Sequence, residues 1–147
     1  METTRQAEAT WSGELRTGSG VVTASSSGAF RELPVTWASR TEEAKGRTSP
    51  EELIAAAHAS CFSMALSGGL GRRGTPPERL EVSATVTFDQ VEGGWRVVSS
   101  ALTVRGQVPG VSEGDFREAA EAAKDGCPIS RALKGNVQLS VDAALSA

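Results

Sequence analysis

Residues Ser49 to Leu66 constrain this chain more than any other stretch. Ser49-Pro50-Glu51-Glu52-Leu53 opens a segment that reaches Ala57-His58-Ala59-Ser60-Cys61-Phe62-Ser63-Met64-Ala65-Leu66. Ser49 suits a helix N-cap, Pro50 the first helical position, and Glu52 completes a Ser-x-x-Glu capping box. Glu51 and Glu52 also set negative charge against the positive end of the helix dipole. Beyond the caps the residues are apolar nearly all round, with alanine at 55, 56, 57, 59 and 65. That pattern predicts a helix buried on most sides and able to pack closely against another helix. Gly68, Gly69 and Gly71 are expected to end it. The uncharged run from Leu53 to Leu66 is 14 residues. A membrane span needs about 20, so a core helix is expected and no membrane.

Short β-like runs alternate with turn residues on the N-terminal side. Ala9 to Leu15, Val21 to Ala24 and Phe30 to Trp37 read as strands, the last with Pro34 at an edge or bulge. Arg40 then ends that strand before a polar loop, Thr41 to Thr48. On the C-terminal side Leu80 to Val91 alternates cleanly, with Val82, Ala84, Val86 and Phe88 on one face. Gly93-Gly94 turns the chain into a second long strand, Trp95 to Val108. Asp115 to Lys124 carries Phe116, Ala119, Ala120 and Ala123 on one helical stripe. A short helical turn from Pro128 to Leu133 leads to a last strand, Val137 to Ala143. The order β-β-β-α-β-β-α-(α)-β predicts one α+β domain over residues 1–147 with mainly antiparallel pairing.

Composition matters mainly for what it excludes. The formal charge of −3 and the lack of a basic stripe argue against a nucleic-acid partner, which needs clustered Lys and Arg. Met1 to Thr10 has no apolar segment of the secretory kind, so a cytoplasmic location is expected. In a reducing compartment two cysteines point to redox chemistry rather than structural stapling. With His58 they supply three ligands at no zinc-like spacing, so no metal is expected.

Cys61 stands mid-helix, where burial raises a thiol pKa and no helix N-terminus lowers it. A shift from ~8.5 to ~6.5 needs about 2.7 kcal/mol. A charge-assisted hydrogen bond contributes ~1.5–3 kcal/mol, so one arginine is enough. Cys127, in Gly126-Cys127-Pro128, caps the short helix, where the dipole favours thiolate. A peroxide-oxidised cysteine needs such a second thiol to trap its sulfenic acid before further oxidation. Arg40 and Glu51 are the candidate activating pair, since a carboxylate can aim a guanidinium at a thiolate. Glu51 and Cys61 lie about ten residues apart on one helix, ~15 Å, and so cannot meet directly. Two copies of the helix packed antiparallel would bring each Glu51 near the other copy's Cys61. His58 shares a face with Cys61 and is open to a catalytic role or to packing; Arg16 and Arg47 are further basic candidates.

At these residues the chain resembles the OsmC/Ohr family of thiol peroxidases, in its OsmC (osmotically inducible protein C) branch. The resemblance rests on Trp11-x-Gly13, Gly18-x-Gly20, Arg40, the Ser49–Leu53 cap, the helix from Ala55 to Leu66 and Gly126-Cys127-Pro128-Ile129-Ser130. It implies an intertwined homodimer whose antiparallel sheets wrap a long central apolar helix, with active sites at the subunit interface. It also implies Cys61 as peroxidatic thiol, Cys127 as resolving thiol, and Arg40 with Glu51 as the activating pair. Arg16 stays in play, because the Ohr branch places its arginine nearer the N-terminus. The expected activity is thiol-dependent reduction of organic hydroperoxides, and less efficiently of hydrogen peroxide, in response to oxidative stress. A dithiol reductant resets the enzyme, and no cofactor is needed. A binder of small hydrophobic ligands and a thiol-disulfide redox sensor are the alternatives.

Overall fold

The computed structural model describes residues 1–146. The chain divides into two compact units, Met1–Leu53 and Ile54–Ala147.

In the first unit β1 (Glu8–Ser12), β2 (Ser19–Thr23) and β3 (Leu33–Val35) form an antiparallel sheet in the order β1-β2-β3. The third strand is far shorter than the expected Phe30–Trp37. In place of its end stands a one-turn helix, α1 (Trp37–Thr41). Thr36 caps α1, its Oγ1 accepting from the Ser39 N–H at 3.0 Å while the Thr36 N–H donates to the Ser39 hydroxyl at 3.0 Å. The expectation that Arg40 ends a strand is thereby corrected: it lies on α1. A Thr-x-x-Ser cap made that turn, a weaker sequence signal than Ser-x-x-Glu.

The long helix α2 (Pro50–Arg72) begins as expected, the Glu52 N–H donating to the Ser49 hydroxyl at 3.1 Å. Its first turn belongs to the first unit and the rest to the second. It does not stop at Gly68, Gly69 and Gly71 but runs 23 residues. Each helical glycine costs about 1 kcal/mol. Leu66 and Leu70 are wholly buried and offset this, at roughly 1.5–3 kcal/mol each. The stop is Gly74, whose φ of +83° few other residues adopt. At this length α2 has a mean hydropathy of 1.4 over its most apolar window, enough by length and composition to cross a membrane. The 14-residue estimate was too short. Nor is α2 buried on most sides. His58, Phe62, Leu66 and Leu70, each four residues on, form one buried stripe, while Ala56, Ala57, Ser60, Met64, Ser67 and Gly68 are exposed.

In the second unit β4 (Arg79–Val91) and β5 (Gly94–Gln107) form the expected hairpin, turning on Glu92-Gly93 between the paired Val91 and Gly94. Helices α3 (Glu113–Gly126) and α4 (Pro128–Leu133) follow, and then β6 (Gln138–Leu145). β6 pairs with β5 in parallel, giving the order β4-β5-β6. Parallel neighbours need a long crossover, and α3 with α4 supplies it. Phe116, Ala119, Ala120 and Ala123 of α3 are buried, as their stripe predicts. They meet Phe62, Leu66 and Leu70 of α2 and Leu102 and Val104 of β5 in one core cluster that includes Cys127.

Candidate active site

Cys127 is the N-cap of α4, with Pro128 following at the first helical turn. Cys61 comes from the middle of α2. Cys61 packs against the core cluster that holds Cys127, each thiol shifts the acidity of the other, and both are free. They differ in exposure: Cys61 is partly open to solvent and Cys127 is fully buried.

Their acidities also separate. Burial pushes the Cys61 thiol up, the facing Cys127 sulfur adds to the rise, and the Ile129 N–H opposes it. Burial acts the same way on Cys127, but it is outweighed. The facing Cys61 thiol, the Ser130 and Ile129 N–H groups and the Ser130 hydroxyl together hold Cys127 below its ordinary value. No side-chain capping hydrogen bond closes between Cys127 and α4, so this pull comes from the summed field of several donors. Within a single chain, negative charge therefore rests more readily on Cys127. The sequence-based expectation of a dipole-favoured Cys127 and an unaided Cys61 agrees with this.

His58 lies one turn before Cys61 and is wholly buried. Its Nδ1 meets the Ser100 hydroxyl of β5 at 2.6 Å and its Nε2 meets the Ser130 hydroxyl of α4 at 2.8 Å. Burial lowers its pKa, so the ring is held neutral. Ser100 and Ser130 were missed as site residues. Ser130 lies inside the Gly126–Ser130 motif, and a buried histidine must satisfy both ring nitrogens, which was the available signal.

Arg40 and Glu51 form a forked ion pair in the first unit. Glu51 Oε1 accepts from Arg40 Nη2 at 2.8 Å and from Nε at 3.0 Å, and Oε2 accepts from Nε at 3.2 Å. The guanidinium also lies over the Trp37 ring, 5.7 Å from its centroid. Trp11, Leu15, Val35, Trp37, Arg40 and Pro50 line a mainly apolar pocket of about 320 Å³. Arg16 is exposed in the β1–β2 turn. Arg47 is exposed beside a separate polar cleft. A larger cleft of about 440 Å³ runs along Met64, Ala65, Gly68 and α3, but neither sulfur lines it. Among the described residues no cluster of three or more His, Cys, Asp or Glu could hold a metal ion.

The molecule thus sets a partly exposed thiol and a buried one on an α+β frame with two small sheets and a long apolar helix. Residues 42–142 match the family model described as OsmC-like protein, and the chain belongs to that family. It is 40% identical over 135 residues to the peroxiredoxin OsmC of Escherichia coli, covering 92% of this chain and 93% of the relative. It is 31% identical over 107 residues to the organic hydroperoxide resistance protein OhrA of Bacillus subtilis, covering 71% and 73% of the two chains. Among solved structures it is similar to the organic hydroperoxide resistance protein OhrB of Bacillus subtilis. That match has a TM-score of 0.72 at 26% identity and covers 94% of this chain and 97% of that one. An OsmC-like protein from Mycoplasma pneumoniae shares the fold at a TM-score of 0.75 and 14% identity, covering both chains in full.

Proposed function

We propose that this protein is a two-cysteine thiol peroxidase acting on organic hydroperoxides, and less efficiently on hydrogen peroxide, as part of an oxidative-stress response. The observation that carries the reading is the pair of free thiols of unequal exposure, packed in one core cluster, each shifting the acidity of the other. Only Cys61 is open enough to meet a peroxide, so it takes the first step. Its thiolate attacks the distal oxygen, an S–O bond forms, the O–O bond breaks, and the leaving alkoxide takes a proton to become alcohol. Cys127, sheltered from the substrate and acidic, then attacks the Cys61 sulfenic sulfur. An S–S bond forms, the S–O bond breaks, and hydroxide leaves as water once protonated. A dithiol reductant supplies the two electrons that restore both thiols.

Cys61 needs a cation that its own α2 does not supply, since Glu51 is ~15 Å away along the helix. In this reading the Arg40–Glu51 pair of a second copy provides it, in a homodimer sealed by the exposed apolar face of α2. The guanidinium stabilises the Cys61 thiolate and the charge growing on the leaving oxygen. The second task matters more, because full ionisation from ~8.5 gains only about 30-fold at neutral pH. The apolar pocket around Arg40 favours a substrate with an organic tail. The reading places the protein in the cytoplasm, with α2 as an interface helix rather than a membrane span and no nucleic acid as partner.

Peptide mass spectrometry after one equivalent of cumene hydroperoxide tests this. A Cys61–Cys127 disulfide is expected in the parent chain and a sulfenic or sulfinic Cys61 in Cys127→Ser. An unoxidised Cys61 in both would end the peroxidase reading.

A further inference from the structure

Three polar groups from three elements form a hydrogen-bonded line through the core of the second unit, Ser100 of β5, His58 of α2 and Ser130 of α4, and Cys127 caps the helix that carries Ser130. Both hydrogen bonds of His58 are short, 2.6 Å to Ser100 and 2.8 Å to Ser130, and all four residues are at most 1% exposed. Cys127 and Ser130 occupy the N-cap and third positions of α4. The Ser130 hydroxyl is also among the groups that hold Cys127 below its ordinary value. A hydroxyl has a single proton to give. If Ser130 donates to the Cys127 sulfur it must accept from His58 Nε2–H, and His58 Nδ1 must then accept from the Ser100 hydroxyl. Every group is satisfied in that arrangement, in keeping with the absence of an unpartnered buried polar side-chain atom among the described residues.

We propose that His58 is a positioning residue for Cys127, acting through the Ser130 hydroxyl, which it orients so that its proton points at the Cys127 sulfur. The consequence falls on the resolving step. An oriented donor stabilises the thiolate that attacks the sulfenic acid, and it does nothing for the meeting of Cys61 with peroxide. Ser100 completes the device by holding the imidazole in the Nε2–H tautomer. Neutrality of the ring is required, because an imidazolium would donate from both nitrogens and leave the Ser100 hydroxyl proton without its acceptor. Burial of His58 supports that condition. The other ionisable groups nearby are Cys61 on α2, Lys124 and Asp125 at the end of α3, and Arg131 and Lys134 on α4. Lys124 pairs with Glu121 and Asp125, and Arg131 and Lys134 are exposed.

The inference rests on the two-cysteine reading for its consequence, but its core is tested without peroxide. In a Cys61→Ser background the Cys127 thiolate is titrated by its ultraviolet absorbance. Ser130→Ala and His58→Leu are each expected to raise the midpoint by about one pH unit, the effect of losing one donor to a charged sulfur. The double variant is expected to go no further than either single one. His58→Gln, whose amide can still donate to Ser130, is expected to recover most of the shift. In the chain with both cysteines the same variants are expected to slow disulfide formation about tenfold and leave the initial peroxide reaction within about threefold. Midpoints equal to the parent's in the folded variants, or shifts that simply add, would overturn the proposal. If His58→Leu fails to fold, Ser130→Ala decides, since it removes one oxygen and no backbone bond of α4. Failure of the peroxidase reading would show as no oxidation at all, with the titration unaffected.

Discussion

Replacing Glu51 with glutamine tests how the Arg40 guanidinium is aimed. The pair is held by three contacts of 2.8, 3.0 and 3.2 Å, with Glu51 9% and Arg40 31% exposed at the side chain. Glutamine keeps the size and one oxygen acceptor, but it loses the charge and turns an amide NH₂ toward the guanidinium. Because Arg40 is nearly a third exposed, solvent screening trims the loss. The fold should lose only about 1 kcal/mol. Activity should suffer far more. A guanidinium that is no longer forked forfeits a charge-assisted bond at the reacting atoms, about 1.5–3 kcal/mol, or roughly 10- to 150-fold. Arg40→Lys should lose a similar amount, since a point charge cannot occupy the fork. The assay is single-turnover consumption of cumene hydroperoxide beside a thermal melt. If both variants fold and stay within about threefold of the parent rate, the activating role of the pair is wrong.

Other outcomes follow from particular contacts. Met64→Glu places a charge on the exposed face of α2, and sedimentation is expected to find the proposed dimer for the parent and monomer for the variant, with helical circular dichroism retained. An unchanged dimer would remove α2 from the interface. Gly106→Ala would put a methyl group 2.7 Å from Phe116 Cζ and 3.1 Å from Leu80 Cδ2, so chemical denaturation should show a loss of about 1–3 kcal/mol. His58 has its pKa lowered by burial from an ordinary value of 6.5, so the unfolded chain binds its proton first. Its contribution to stability is complete above that value and declines as pH falls below it, by at most about 1.4 kcal/mol per unit. Thermal melts between pH 7 and about 5 should show that slope in the parent and lose it in His58→Gln.

Local rules explain what could be read along the chain. The Ser49 cap, the buried stripe of α3, the β4–β5 hairpin and the six residues of α4 behind Cys127 each depend on neighbours within a few positions. The errors have the same origin. Gly68 and Gly69 were read as a stop because their helix cost is local, while the burial of Leu66 and Leu70 that overrides it is not. Arg40 was assigned to a strand because the Thr36–Ser39 cap is a weak pattern until both hydroxyls are seen in place.

What the amino-acid order determined by itself was therefore the family, the candidate cysteines and arginine–glutamate pair, and most of the elements that carry them. Tertiary structure alone decided that β6 runs parallel to β5 and that α2 leaves one face open. It also decided that His58 finds its partners 42 and 72 residues away. Periodicity and capping are short-range preferences, whereas these outcomes depend on which distant surfaces bury one another and on buried polar groups finding donors and acceptors wherever the packed chain puts them.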